Sequence, residues 1–184
     1  MAFLGLSVPP DIVKLLASIP VPGDKEDTSS FHITITYLGE KTALPDVLTA
    51  AAWMHEASLE VTPFQCAVHG TSHFEPSGAS EGRVPVICPV HAPELLKLKK
   101  KLDRHFDGAG LEYSKKFEYQ PHITLAYADS VPKEIDFPEI VWTATEMILW
   151  DGDKWQDEIV IRVPFGLGNL AGKVAARSLR THQI

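Results

Sequence analysis

A chain of 184 residues, 45% of them hydrophobic, is long enough to bury a sizeable apolar interior without disulfide staples. Its formal net charge of -7 opposes broad attraction to long polyanions, which rests on many Lys and Arg contacts to phosphates; a long nucleic-acid tract is not expected, and a small or terminal phosphodiester is the easier anion. The apolar stretches Ile12 to Ile19 and Val84 to Val90 are broken by Lys14, Pro85 and Pro89, and the opening run Ala2 to Leu6 has no basic leader, so a cytosolic protein without a membrane span or secretory signal is expected.

In chain order, Ala2 to Ser7 reads as a short apolar strand. Val8-Pro9-Pro10-Asp11 then turns it into a helix with Ile12, Leu15, Leu16 and Ile19 at helical spacing, stopping before Pro20. A polar loop through Pro22, Gly23, Asp24 and Ser30 leads to a strand that begins at Phe31-His32 and ends at Gly39. Pro45 starts a second helix whose buried side is expected to hold Val47, Leu48, Ala51, Ala52 and Met54. Phe64, Cys66 and Val68 then alternate with polar or small residues as a strand should.

The segment from His73 to Gly82, with Pro76, Gly78 and Gly82, is the expected junction between two halves, because the pattern restarts after it. Val84 to Val90 predicts a strand, and Pro93 sits at a helix start. Leu95, Leu98, Leu102 and Phe106 line one helical side up to Gly108, and a loop through Gly110 and Lys115 delivers a second histidine strand. The lysines Lys97, Lys99, Lys100 and Lys101 read as a solvated helix face. Val141 to Trp150 predicts one long strand, Asp151-Gly152-Asp153-Lys154 a turn, and Glu158 to Val163 the returning strand of a hairpin. Residues 164–184, glycine-rich and then basic through Arg177, Arg180 and His182, read as a loosely attached tail.

The phrase that carries chemistry occurs twice in one register: Phe31-His32-Ile33-Thr34-Ile35-Thr36-Tyr37 and Pro121-His122-Ile123-Thr124-Leu125-Ala126-Tyr127. In an extended strand successive side chains alternate, so each histidine and its threonine share one face, while the aliphatic residues and the tyrosines Tyr37 and Tyr127 are expected on the apolar side. Strand, proline turn, helix, loop and histidine strand recur as a unit, which argues for internal duplication. Phosphodiester cleavage needs a base for the attacking oxygen, an acid for the departing one, and donors for the non-bridging oxygens. Two imidazoles titrating near pH 6.5 and two hydroxyls supply that set without a metal.

These residues resemble the two-histidine (2H) phosphoesterase superfamily, which includes bacterial 2',5'-RNA ligase-like proteins and cyclic nucleotide phosphodiesterases. The likeness covers residues 1–163 and rests on His32-Ile33-Thr34-Ile35, Pro121-His122-Ile123-Thr124-Leu125, Phe3-Leu4-Gly5-Leu6 with Pro9-Pro10-Asp11, and Tyr37-Leu38-Gly39-Glu40. It implies an α/β (α+β) bilobal fold with antiparallel sheets around a central groove and helices outside. It also implies metal-independent hydrolysis or transfer at 2'-linked or cyclic phosphodiesters, with His32, Thr34, His122 and Thr124 as the working groups. RNA 2',3'-cyclic phosphate ends, 2'-5' linked oligonucleotides and cyclic oligonucleotide second messengers are the candidate substrates; some phage members of the family degrade immune cyclic nucleotides. Phe74, Arg83 and Trp150 are candidates for holding a nucleotide in the groove by stacking and charge.

The protein is expected to work as a monomer without cofactor. A non-catalytic nucleotide-binding sponge on the same fold is the alternative, and matched acid and base groups in both motifs argue against it. Cys66 and Cys88 lie in apolar strand-like runs and read as small buried hydrophobes. His69 and His73 flank a glycine-bearing strand exit with no third ligand, so no metal site is expected there. Gly166-Leu167-Gly168-Asn169 has too little chain after it for a dinucleotide-binding unit.

Overall fold

The computed structural model describes residues 1–116, 118–152 and 159–166. Ten strands and three helices alternate along these residues: β1 (Ala2–Ser7), α1 (Pro10–Ala17), β2 (Asp24–Lys25), β3 (His32–Gly39), α2 (Leu44–Glu60), β4 (Phe64–Gly70), β5 (Ser72–His73), β6 (Val84–Pro89), α3 (Pro93–Ala109), β7 (His122–Ala128), β8 (Asp136–Ala144), β9 (Glu146–Asp151) and β10 (Ile159–Pro164). They form two four-stranded sheets, β10-β9-β1-β3 and β2-β7-β6-β5, and a ribbon of β4 with β8; every pairing is antiparallel. Each sheet draws strands from both sides of residues 74–82. The expected α/β architecture with antiparallel sheets is what the chain adopts.

Each helix starts with a proline in its first turn, where the missing N–H leaves no hydrogen bond unmade. Helix α3 buries Leu95, Leu98, Leu102 and Phe106, the stripe the sequence predicts, and runs past Gly108 to Ala109. The other two helices correct the expectation. In α2 the buried stripe is Val47, Ala50, Met54 and Ala57, while Leu48 is 56% exposed and Ala52 is exposed. This helix is apolar on more than one side, so periodicity alone could not choose the face. Helix α1 has eight residues, room for only one i, i+4 pair inward; Ile12 and Leu16 take it, leaving Leu15 51% exposed.

The single strand expected over 141–150 is two strands in different layers. β8 pairs with β4, the chain bends at Thr145, and β9 joins β1 and β10. The hairpin of β9 and β10 forms as expected, although Asp153 and Lys154 of its turn lie outside the described residues. The tail begins later than residue 164. Phe165 is buried against Phe64, ring centroids 5.5 Å apart, and its N–H donates to the Thr145 carbonyl at 2.8 Å; residues 167–184, including Arg177, Arg180 and His182, lie outside the described residues. Among the described residues no helix is long and apolar enough to cross a membrane.

Both histidine strands carry a bulge at the same place. In β3, Leu4 faces Thr36 and Gly5 faces Thr34, so Ile35 is one residue too many for its partner strand; in β7, Val86 faces Ala126 and Ile87 faces Thr124, leaving Leu125 extra. A one-residue insertion flips the parity beyond it. Thr36 and Ala126 therefore turn into the core, and Tyr37 and Tyr127 turn out of it, onto the side of the histidines. The reading of both tyrosines as core residues is thus overturned.

Candidate active site

The four motif residues sit half-buried on their strands, with Ile33, Ile35, Ile123 and Leu125 buried behind them. Strands β3 and β7 approach each other where the two sheets meet. The imidazoles are held alike. His32 Nδ1 lies 2.5 Å from the Ser30 carbonyl oxygen and His122 Nδ1 lies 2.7 Å from that of Gln120, in each case two residues back along the chain. A carbonyl oxygen can only accept, so Nδ1 carries the hydrogen and Nε2 is the nitrogen that gains and loses a proton. The His32 Nε2 stands 3.1 Å from Thr34 Oγ1.

Burial pulls the His32 pKa below the ordinary imidazole value. The bond to the Ser30 carbonyl raises it, the charge of His122 lowers it, and the Glu26 carboxylate raises it. His122 is also lowered, first by burial, against the raising effect of its bond to Gln120. The charge of His122 acts on the His32 ring, so protonation of one imidazole disfavours protonation of the other.

Each ring has a phenylalanine partner. Phe3 stacks on His32 with centroids 4.3 Å apart and planes inclined by 22°, and Trp150 leans on Phe3 at 5.6 Å. Phe74 meets His122 at 4.7 Å, edge to face. The Phe3 ring reaches His32 by lying over Gly5, whose missing side chain leaves the room: a Cβ there would stand 2.5 Å from the Ile33 carbonyl oxygen and 3.3 Å from Phe3 Cε2. Of the three residues expected to hold a nucleotide, Phe74 and Trp150 thus join the histidines, one directly and one through Phe3. Arg83 lies farther along the wall, its guanidinium 5.1 Å from the centre of the Tyr127 ring and its Nη1 donating to Asp24 Oδ2 at 2.9 Å.

Sequence reading missed the segment carrying Asp24 and Glu26, taken there for a loop. It is an edge strand laid against β7, with Asp24 opposite Tyr127 and the Glu26 N–H donating to the Leu125 carbonyl at 2.9 Å. Gly23, at φ +88°, permits the approach, since a Cβ there would meet the Tyr127 carbonyl oxygen at 2.3 Å. The Glu26 carboxylate accepts from Ser30 Oγ at 3.0 Å, next to the carbonyl that holds His32. Nothing in the sequence marks this strand, because its residues are all polar.

Two further expectations, on the cysteines and on the lysine run, meet their outcome here. Cys66 and Cys88 are buried and free, and burial drives both thiols up to about 12. Among the described residues no three His, Cys, Asp or Glu side chains gather as a metal site, at His69 and His73 or elsewhere. The lysine run is not uniformly a solvated face: Lys99 is only 13% exposed, paired with Asp103 and set over the rings of Tyr113 and Tyr119 at 5.1 and 5.9 Å. It holds down the loop that presents Gln120 to His122.

Solved structures show the same fold. TT0787 of Thermus thermophilus superposes with a TM-score of 0.71 at 20% identity, covering 90% of this chain and 97% of that one. E. coli LigT complexed with 3'-AMP gives 0.66 at 15% identity over 89% and 97% of the two chains, and LigT complexed with phosphate 0.64 at 15% over 89% and 96%. A comparison with curated proteins finds no match. The family description that fits residues 24–155, a span containing both histidine strands and the junction between them, is "2'-5' RNA ligase superfamily", and the chain belongs to that superfamily.

Proposed function

We propose that this chain is a metal-independent phosphodiesterase acting on 2'-linked or cyclic phosphodiester bonds of nucleotides or RNA, with His32 and His122 as acid and base and Thr34 and Thr124 as the clamp on the phosphate. One observation supports the reading: each of the two imidazoles is pinned through Nδ1 to a backbone carbonyl, which leaves its Nε2 to exchange the proton, and the His32 Nε2 stands beside Thr34 Oγ1. One Nε2 takes a proton from water or a ribose hydroxyl as that oxygen bonds to phosphorus. The other gives its proton to the oxygen that departs, and the threonine hydroxyls donate to the non-bridging oxygens. Family membership and the nucleotide ligands named for the LigT structures support a nucleotide substrate. Phe74, Arg83 and Trp150 line the wall that would receive it.

The test is product analysis against RNA 2',3'-cyclic phosphates, 2'-5' linked oligonucleotides and cyclic oligonucleotides, with and without EDTA. Turnover insensitive to the chelator is expected, with a bell-shaped pH profile. His32→Ala and His122→Ala should each lower the rate by about 10²–10⁴-fold while circular dichroism stays that of the parent. Full activity in either variant would refute the assignment. Stoichiometric release of unchanged ligand would show a binding module instead.

A further inference from the structure

The groove wall continues past the phosphate clamp. On β7 the bulge at Leu125 re-aims the strand so that Tyr127, three residues beyond Thr124, faces the same side as the clamp at a distance of about 10 Å. Over its ring lies the Arg83 guanidinium, delivered by the residue just before β6. Asp24, on the edge strand opposite Tyr127, takes one nitrogen of that guanidinium, and no other hydrogen bond to it occurs among the described residues. A guanidinium set over a phenol ring with one nitrogen engaged by Asp24 has further N–H donors, and these match the oxygens of a phosphate. Its ion-pair partner is a carboxylate whose side chain is 88% exposed, a pair that water screens and a better anion displaces.

The other histidine strand has the same bulge but a different outcome. There the turned-out Tyr37 donates its hydroxyl to Glu40 Oε1 at 2.6 Å, so a carboxylate stands where the second strand has a cation. The two bulges therefore differ: a cation stands beside the turned-out tyrosine of β7, and none is hydrogen-bonded to that of β3 among the described residues.

We infer that Arg83, set over Tyr127, forms a subsite for the phosphate of the neighbouring nucleotide, so that the substrate is a dinucleotide or longer, linear or cyclic, rather than a mononucleotide cyclic phosphate. The inference rests on the proposed reading of the histidine groove. Arg83 lies over a ring about 10 Å along β7 from Thr124, and phosphate contacts of this kind fix the register of a strand without reading its bases.

Calorimetric titration with 2'-O-methylated ApAp and with Ap, which lacks the second nucleotide and its phosphate, tests the subsite apart from turnover. The parent should bind ApAp about tenfold or more tighter than Ap, with a steeper salt dependence. Arg83→Gln should collapse that ratio toward one. Asp24→Asn removes the competing carboxylate and should keep or raise the ratio. A parent ratio near one, an Arg83→Gln ratio equal to the parent's, or a loss in Asp24→Asn matching that in Arg83→Gln would overturn the subsite; the last would show that the ion pair merely holds the edge strand. Absence of hydrolysis with the ratio intact would instead count against the phosphodiesterase reading alone.

Discussion

Adding one methyl group at Gly5 should disable the site from behind. Its Cβ would stand 2.5 Å from the Ile33 carbonyl oxygen, whereas carbon and oxygen in neighbouring strands ordinarily approach no closer than about 3.3 Å; β1 and β3 must separate by about 0.8 Å. The same carbon would press on Phe3 Cε2 at 3.3 Å and lift the ring from the face of His32. Overpacking of this size costs about 1–3 kcal/mol, and for a domain of this length that lowers Tm by about 2–12 °C. A shift approaching 1 Å in a positioned catalytic group costs about 10²-fold in rate. Gly5→Ala should therefore fold, melt earlier, and lose about two orders of magnitude in kcat on whichever phosphodiester the parent cleaves. An NMR titration of His32 gives a readout independent of turnover: with the stacked ring lifted, the imidazole is more hydrated and its pKa rises toward 6.5. Parent melting temperature, parent kcat and an unmoved His32 titration in Gly5→Ala would refute the account of how this ring is held.

Both histidines have pKa values lowered in the folded protein, so the unfolded chain binds their protons first as the pH falls. Stability is then complete above about pH 6.5 and declines as the pH drops from there through the folded values; urea denaturation at pH 7.5 and 5.5 should show the fall, and His32→Gln should reduce it. Lys99→Ala should cost about 1–2 kcal/mol through the lost ring and carboxylate contacts, while Lys100→Ala stays within about 0.5 kcal/mol; equal costs in denaturant melts would restore the picture of a uniformly solvated face. With both thiols driven up to about 12 and buried, neither Cys66 nor Cys88 should react with a thiol reagent at pH 8 until the protein unfolds, which a colorimetric count of free thiols checks.

The frame of the protein was legible because one sequence pattern occurs in it twice. Two His-x-Thr phrases at matching places in a strand–helix–strand unit leave few ways to arrange the halves, and the stripe Leu95, Leu98, Leu102 and Phe106 could face only one way. What stayed hidden depends on partners far along the chain. A bulge exists only relative to the strand opposite: the sequence at Ile35-Thr36-Tyr37 alternates well enough to read as unbroken, and only pairing with Leu4 and Gly5 reveals the extra residue. Asp24 to Glu26 has no apolar rhythm because this edge strand is held by backbone hydrogen bonds to β7, not by burial of its own side chains. The bend at Thr145 likewise follows from β8 and β9 belonging to separate ladders, which a run of strand-forming residues does not announce.

The sharing of every sheet between early and late strands has a consequence for the chain's continuity. A protease nick between Ser77 and Gly82 would divide it into two fragments, each with one of the paired imidazoles and each holding some of the strands of all three sheets. Neither fragment can cover its own strand edges, so the pieces should remain clasped as a complementing pair, and no half of this protein can carry half of its chemistry.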